Sequence, residues 1–122
     1  MLVVRKVEFG ICEHEDLGSV REFALWFLAK GLKLHVLMLN AGIAMVPYKL
    51  VHGVESQLFV NHVAHQYLTT LLLQTLKDTR PSRVVVVSSA AHQFVAGMHV
   101  SGGLSFILAG LSMVSVGLFC GS

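Results

Sequence analysis

Arg83-Val84-Val85-Val86-Val87-Ser88-Ser89 is the strongest strand signal in the chain, four consecutive valines closed by two serines. Upstream of it, Pro81 ends a long helical pattern that runs from about Gly53 to Lys77. Val54, Leu58, Asn61, His65, Leu68, Leu72 and Leu76 fall roughly on one stripe of that helix, so Asn61 and His65 are polar residues inside an apolar face. Before the helix, Leu34 to Leu39 is a continuous apolar run bounded by Asn40 and Gly42. It predicts a strand buried on both faces, as parallel sheets require.

The same alternation continues toward the N-terminus. From Ser19 to Lys30, Val20, Phe23, Ala24, Phe27 and Leu28 recur at three- and four-residue steps, with Gly31 placed to stop the helix in a left-handed cap. Lys6 to Cys12 is apolar or β-branched in part and is ended by Glu13, Glu15 and Asp16, which predicts a first strand. Strand, helix, strand, helix, strand, with helical crossovers, implies an α/β fold: a partial Rossmann-like parallel sheet with a β-α-β-α-β core. Ligands on such sheets bind beyond the carboxyl ends of the strands, which here are Asn40-Ala41-Gly42 and Ser88-Ser89.

The chain has 122 residues, enough for one domain and too few for two. Charged residues make up 13% and hydrophobic residues 54%, with a mean hydropathy of +0.69. A net charge of +2 with no basic run leaves no electrostatic footprint for nucleic acid. Cys12 and Cys120 sit at opposite ends with no C-x-x-C spacing, which indicates neither a disulfide framework nor a thiolate zinc site. His62 and His65 stand three apart on a helix, yet no carboxylate pair or third ligand is spaced to join them, so no metal site is assigned. There is no G-x-S-x-G elbow to support a serine hydrolase.

Every Asp, Glu, Lys and Arg lies at or before Arg83. The division that follows is a Rossmann-like part over residues 1–95 and an uncharged Gly/Ser/apolar tail over residues 96–122. Val100 to Cys120 contains 13 apolar residues, four Gly and four Ser. As a helix its 21 residues would span about 32 Å, close to the hydrocarbon thickness of a bilayer. The expectation is an apolar C-terminal helix with two open readings, a transmembrane segment or a stretch with no evolved structure. Ser101, Ser105 and Ala109 repeat at the four-residue step of close helix packing in lipid.

Leu34-His35-Val36-Leu37-Met38-Leu39-Asn40-Ala41-Gly42, Val60-Asn61-His62-Val63-Ala64-His65 and Arg83 to His92 stand in an order and spacing that resemble the short-chain dehydrogenase/reductases. The branch looks like that of the retinol dehydrogenases, the WW-domain-containing oxidoreductase and the X-linked dehydrogenase/reductase, over about Val7 to Phe94. The resemblance implies an oxidoreductase that uses NAD or NADP on a small lipophilic alcohol or carbonyl such as a retinoid or steroid. By that resemblance Asn40, Ala41 and Gly42 pack beside the adenosine part of the cofactor. Glu13 stands where the family has an Asp that meets the adenine ring, if the helix is aligned on Ser19-Val20-Arg21, and His14 stands where Leu is normal. Asn61 matches the helix Asn of the catalytic tetrad, which holds a water in the proton relay. Ser89 matches the donor to the substrate carbonyl.

The family's other two catalytic residues are a Tyr that supplies the proton and a Lys that lowers its pKa. Here the last tyrosine is Tyr67 and the last lysine is Lys77, so neither follows Ser89, and no Gly-rich turn after a first strand is present to cradle a pyrophosphate. The expectation is therefore a fragment or isoform truncated at both ends and inactive on its own. The alternatives are a non-enzymatic membrane-tethered or partner-binding protein, and a product that does not fold stably. The chain is placed either at a membrane, such as the endoplasmic reticulum with a cytoplasmic body, or in the cytoplasm.

Overall fold

A computed structural model describes residues 7–89. Helix α1 spans Leu17–Leu28, and strand β1 follows at Val36–Leu39. A short hairpin, β2 at Leu50–Val51 and β3 at Val54–Glu55, leads into helix α2 at Ser56–Leu58. A π-helical segment at Phe59–Val63 and helix α3 at Ala64–Asp78 continue from it, and strand β4 at Arg83–Val86 comes last. The expected apolar helix of the tail and the division at residues 95 and 96 lie outside the described residues. Among the described residues, no helix is long and apolar enough to cross a membrane.

Helix α1 begins where Asp16 accepts the Gly18 N–H at 2.8 Å, which satisfies one of the helix's unpaired first-turn donors. Ser19 Oγ reaches back to accept the Glu13 N–H at 3.0 Å and fixes the turn ahead of the helix. At the other end the Lys30 N–H bonds Phe27 O and the Gly31 N–H bonds Leu28 O, with Gly31 at φ +61°. The left-handed stop expected at Gly31 is therefore present, a conformation glycine adopts without a Cβ penalty.

Strands β1 and β4 pair in parallel, Leu37 opposite Val84 and Leu39 opposite Val86. Helices α1 and α3 both pack on one face of this sheet. Val20 and Ala24 from α1 meet Ala64, Leu68, Leu72 and Leu76 from α3 over Leu37 and Leu39, with Val84 and Val86 at the margin. Thr79, buried after α3, accepts the Leu34 N–H at 3.1 Å and ties the helix end to the approach to β1.

Two expectations are corrected. Lys6 to Cys12 was expected as a strand, but residues 7–12 form none; they run along α1 instead. Glu8 pairs with Lys30, and Gly10 lies so close to the rings of Phe23 and Trp26 that a Cβ there would fall 2.8 Å from Phe23. A strand needs a ladder partner, and the described sheet consists of β1 and β4 alone. Among the described residues the order is thus α-β-α-β around a small parallel sheet, an α/β arrangement compatible with a partial Rossmann-like fold, without the first strand of β-α-β-α-β. Leu34 to Leu39 was expected to be buried on both faces, yet burial alternates. Leu37 and Leu39 are buried while Val36 is 41% and Met38 62% exposed, because both helices cover the same face.

The hairpin interrupts the helical pattern expected from Gly53. His52 at φ +50° and Gly53 at φ +80° form the two-residue turn with both centres left-handed that matches strand twist. The helical run then begins at Ser56, capped by Glu55, whose carboxylate accepts the N–H groups of Gln57 and Leu58 at 2.9 and 3.1 Å.

Candidate functional site

The turn after β1 and the π-helical segment meet at the carboxyl end of the sheet. Asn61 lies in that segment, 7% exposed, and its side-chain amide engages the backbone of Ile43 twice. Oδ1 accepts the Ile43 N–H and Nδ2 donates to the Ile43 carbonyl, both at 2.8 Å. Gly42 lies against the same amide, where a Cβ would come within 3.0 Å of Oδ1. One helical turn earlier, the fully buried Gln57 accepts the Met45 N–H at 3.1 Å. Two buried amides therefore stitch the loop from Asn40 to Met45 onto the helix.

This arrangement leaves a cleft of about 370 Å³ walled by Glu13, His14, Ala41, Gly42, Ile43 and Val60. Glu15, held by Lys49 at 2.6 Å, stands at its acidic side. Three residues expected at a cofactor, Glu13, Ala41 and Gly42, thus share one cleft although they come from opposite sides of α1. Asn40, the fourth, is the exposed residue that follows β1. Ser89 is exposed three residues beyond β4, at the same end of the sheet as the Asn40-Ala41-Gly42 turn. Asn61 is placed behind the cleft as a brace on Ile43.

A second pair of side chains lies beside the cleft. His14 meets His65 edge-on, ring centres 5.1 Å apart and planes at 82°. His65 is buried on α3, and its Nδ1 has no hydrogen-bond partner. Burial, and then the neighbouring His14 and His62, push its pKa down to about 4, with the Asn61 backbone pulling weakly the other way. Burial also lowers His14. His62 is exposed where His65 is buried, so the two do not share a face. Among the described residues no group of three or more His, Cys, Asp or Glu side chains is placed to hold a metal ion. Burial raises the Cys12 thiol, which keeps it protonated and unsuited to nucleophilic work.

Sequence reasoning gives His14 no role beyond standing where Leu is normal, and it misses Gln57. Gln57 had a signal, standing four residues before Asn61 and so on the same helical face. His14 had a fainter one, an imidazole where the resemblance expects Leu.

The chain is similar to human retinol dehydrogenase 11, 48% identical over 92 residues that cover 75% of this chain and 27% of the relative. Human polyprenol dehydrogenase is 42% identical over 100 residues, 78% of this chain and 30% of the relative. The WW domain-containing oxidoreductase of Gallus gallus is 42% identical over 104 residues, 84% of this chain and 25% of the relative. The chain therefore spans roughly a quarter to three tenths of the length of these relatives. The crystal structure of an uncharacterized protein from Mycobacterium paratuberculosis superposes with a TM-score of 0.62 at 42% identity, covering 81% of this chain and 36% of that one. No family model matches the chain.

Proposed function

The chain belongs to the short-chain dehydrogenase/reductase family, and on that premise we propose that its cleft receives the adenine end of NAD or NADP in an oxidoreductase acting on a lipophilic alcohol or carbonyl. The observation that carries this is the convergence of Glu13 with Ala41 and Gly42 in one cleft. About 370 Å³ is room for one end of a dinucleotide. The residues present suit that end. Glu13 offers a carboxylate to an exocyclic amine, and Ala41 and Gly42 offer a flat, side-chain-poor wall. Gly42 and Asn61 touch, so the wall is held rigid from behind. When bound, the nicotinamide end would supply or accept hydride.

In this reading Asn61 acts first as a brace, fixing Ile43 and the cleft wall. Ser89 donates its hydroxyl to the substrate oxygen from the same end of the sheet, stabilising negative charge as it develops. Retinol and polyprenol in the names of the similar proteins favour a lipophilic substrate. No Tyr or Lys follows Ser89 in the 122 residues to supply and tune the proton. The 122-residue chain therefore binds without turnover. Calorimetric titration of NADH and NADPH into the full chain tests this. The expected result is weak binding that Glu13→Ala reduces and no reduction of a retinoid aldehyde; no heat of binding with either cofactor contradicts it.

A second reading, an interaction protein, draws on the open side of the sheet. Val36, Met38 and Val87 are exposed there, and an uncovered apolar sheet face favours association. Light scattering of the full chain and of Met38→Lys separates the two, since an assembly dissolved by the lysine would support it and a monomer in both would oppose it.

A further inference from the structure

We propose that His14 is a ligand-contacting residue of the cleft, oriented by His65, and that this pair makes occupancy of the cleft by an uncharged heteroaromatic ring proton-linked, a proposal that rests on the cleft being the adenine pocket. His14 is half-buried and forms part of the cleft wall beside Glu13. Its ring packs against that of His65 in a T-shaped contact, at 5.1 Å and 82°. His65 is 6% exposed and leaves Nδ1 without a partner, an expensive arrangement for a polar atom. It is tolerable only for a neutral imidazole, the form that burial and the neighbouring histidines favour and the Asn61 backbone alone opposes.

From its own helical run His65 feels His62, which lies on another face and has the same sign when charged, and the Asn61 backbone. From the turn ahead of α1 it faces His14. Of the carboxylates flanking His14, Glu15 is paired with Lys49 and Asp16 is spent on the Gly18 N–H, while Glu13 faces the cleft. The core side chains that α1, β1 and β4 set against α3 are apolar, Val20, Ala24, Leu37, Leu39, Val84 and Val86. Both imidazoles are therefore neutral at pH 7. A neutral imidazole offers a ring face with one donor and one acceptor, which suits a purine-like ring. A proton on either ring places an imidazolium in a site that desolvates it, 5.1 Å from its neighbour, and disturbs the wall.

The test uses adenosine, which has no phosphate to titrate, with the full chain followed by NMR at pH 7 and pH 4. Affinity should fall about twofold or more at pH 4, where a group with a pKa of about 4 is half protonated. His14→Leu should remove that dependence while retaining the fold. Equal affinity at both pH values, or an unchanged dependence in His14→Leu, overturns the proposal. The ring resonances of the unliganded chain separate the two layers of inference. If His14 and His65 titrate near the ordinary histidine value of about 6.5, the pair proposal fails alone. If they titrate low and adenosine binds at neither pH, the adenine pocket fails and the proposal falls with it.

Discussion

Asn61 and Ile43 exchange two hydrogen bonds of 2.8 Å, side-chain amide against backbone, as two neighbouring strands would. The pairing supplies the ladder partner that the chain after β1 otherwise lacks, and it sets where Gly42 and Ala41 stand in the cleft wall. The residue that the resemblance marks as catalytic is thus also the structural hinge pin of the loop.

Replacing Asn61 by Leu should cost about 1–3 kcal/mol, because it leaves the partly buried Ile43 N–H and carbonyl without partners. Asn61→Asp should cost a similar amount, since it keeps an acceptor for the N–H but turns a carboxylate toward the carbonyl. Urea unfolding gives the magnitude, and faster amide exchange at Ile43 shows its origin.

Gly42→Val should weaken both cofactor binding and the fold. A Cβ at Gly42 meets Asn61 Oδ1 at 3.0 Å, tight enough to displace the amide and the wall it supports. Calorimetric affinity for NADH should fall, and the unfolding midpoint should drop by no more than it does in Asn61→Leu.

Gly31→Ala should destabilise the chain by about 1 kcal/mol, the cost of placing a Cβ residue in the left-handed region at φ +61°. No neighbouring atom lies within 4 Å of the added Cβ, so the cost is conformational. Thermal unfolding measures it, and Gly31→Asn, which tolerates that region better, should recover part of the loss.

Stability should decline with acid through His65. Its folded pKa of about 4 lies below the ordinary 6.5, so the unfolded chain binds the proton more readily. Its contribution is complete above about pH 6.5 and is lost as pH falls toward 4, up to about 3 kcal/mol at the acid end. Unfolding free energies at pH 7, 6 and 5 measure the slope, which should flatten in His65→Gln.

Much of this fold can be read from local pattern. The steps from Val20 to Leu28 and the glycine after them predict α1 and its stop, and the valines of β4 are a strand wherever they are read. Their pairing with Leu37 and Leu39 follows from the crossover. What periodicity hides is long-range or phase-shifting. Residues 7–12 have strand composition but no ladder partner among the described residues, and composition does not reveal a partner. The π turn at Phe59–Val63 shifts the helical phase, so Phe59 and Val60 are buried although they lie off the stripe of Val54 and Leu58. Burial of one sheet face alone depends on both helices choosing the same side. At the site, the Asn40-Ala41-Gly42 turn, Asn61 and Glu13 stand out in the sequence, whereas the meeting of His14 with His65 exists only once α3 packs beside the turn before α1.

The central claim is that Glu13 and the Ala41–Gly42 turn form one nucleotide-binding wall. Titrating NADH into the ¹⁵N-labelled full chain tests it most directly. The account predicts amide shift changes concentrated at residues 13–15 and 41–43, reduced by Glu13→Ala and accompanied by no oxidation of the cofactor when a retinoid aldehyde is added. Unchanged amides at those positions, with or without changes elsewhere, would contradict it.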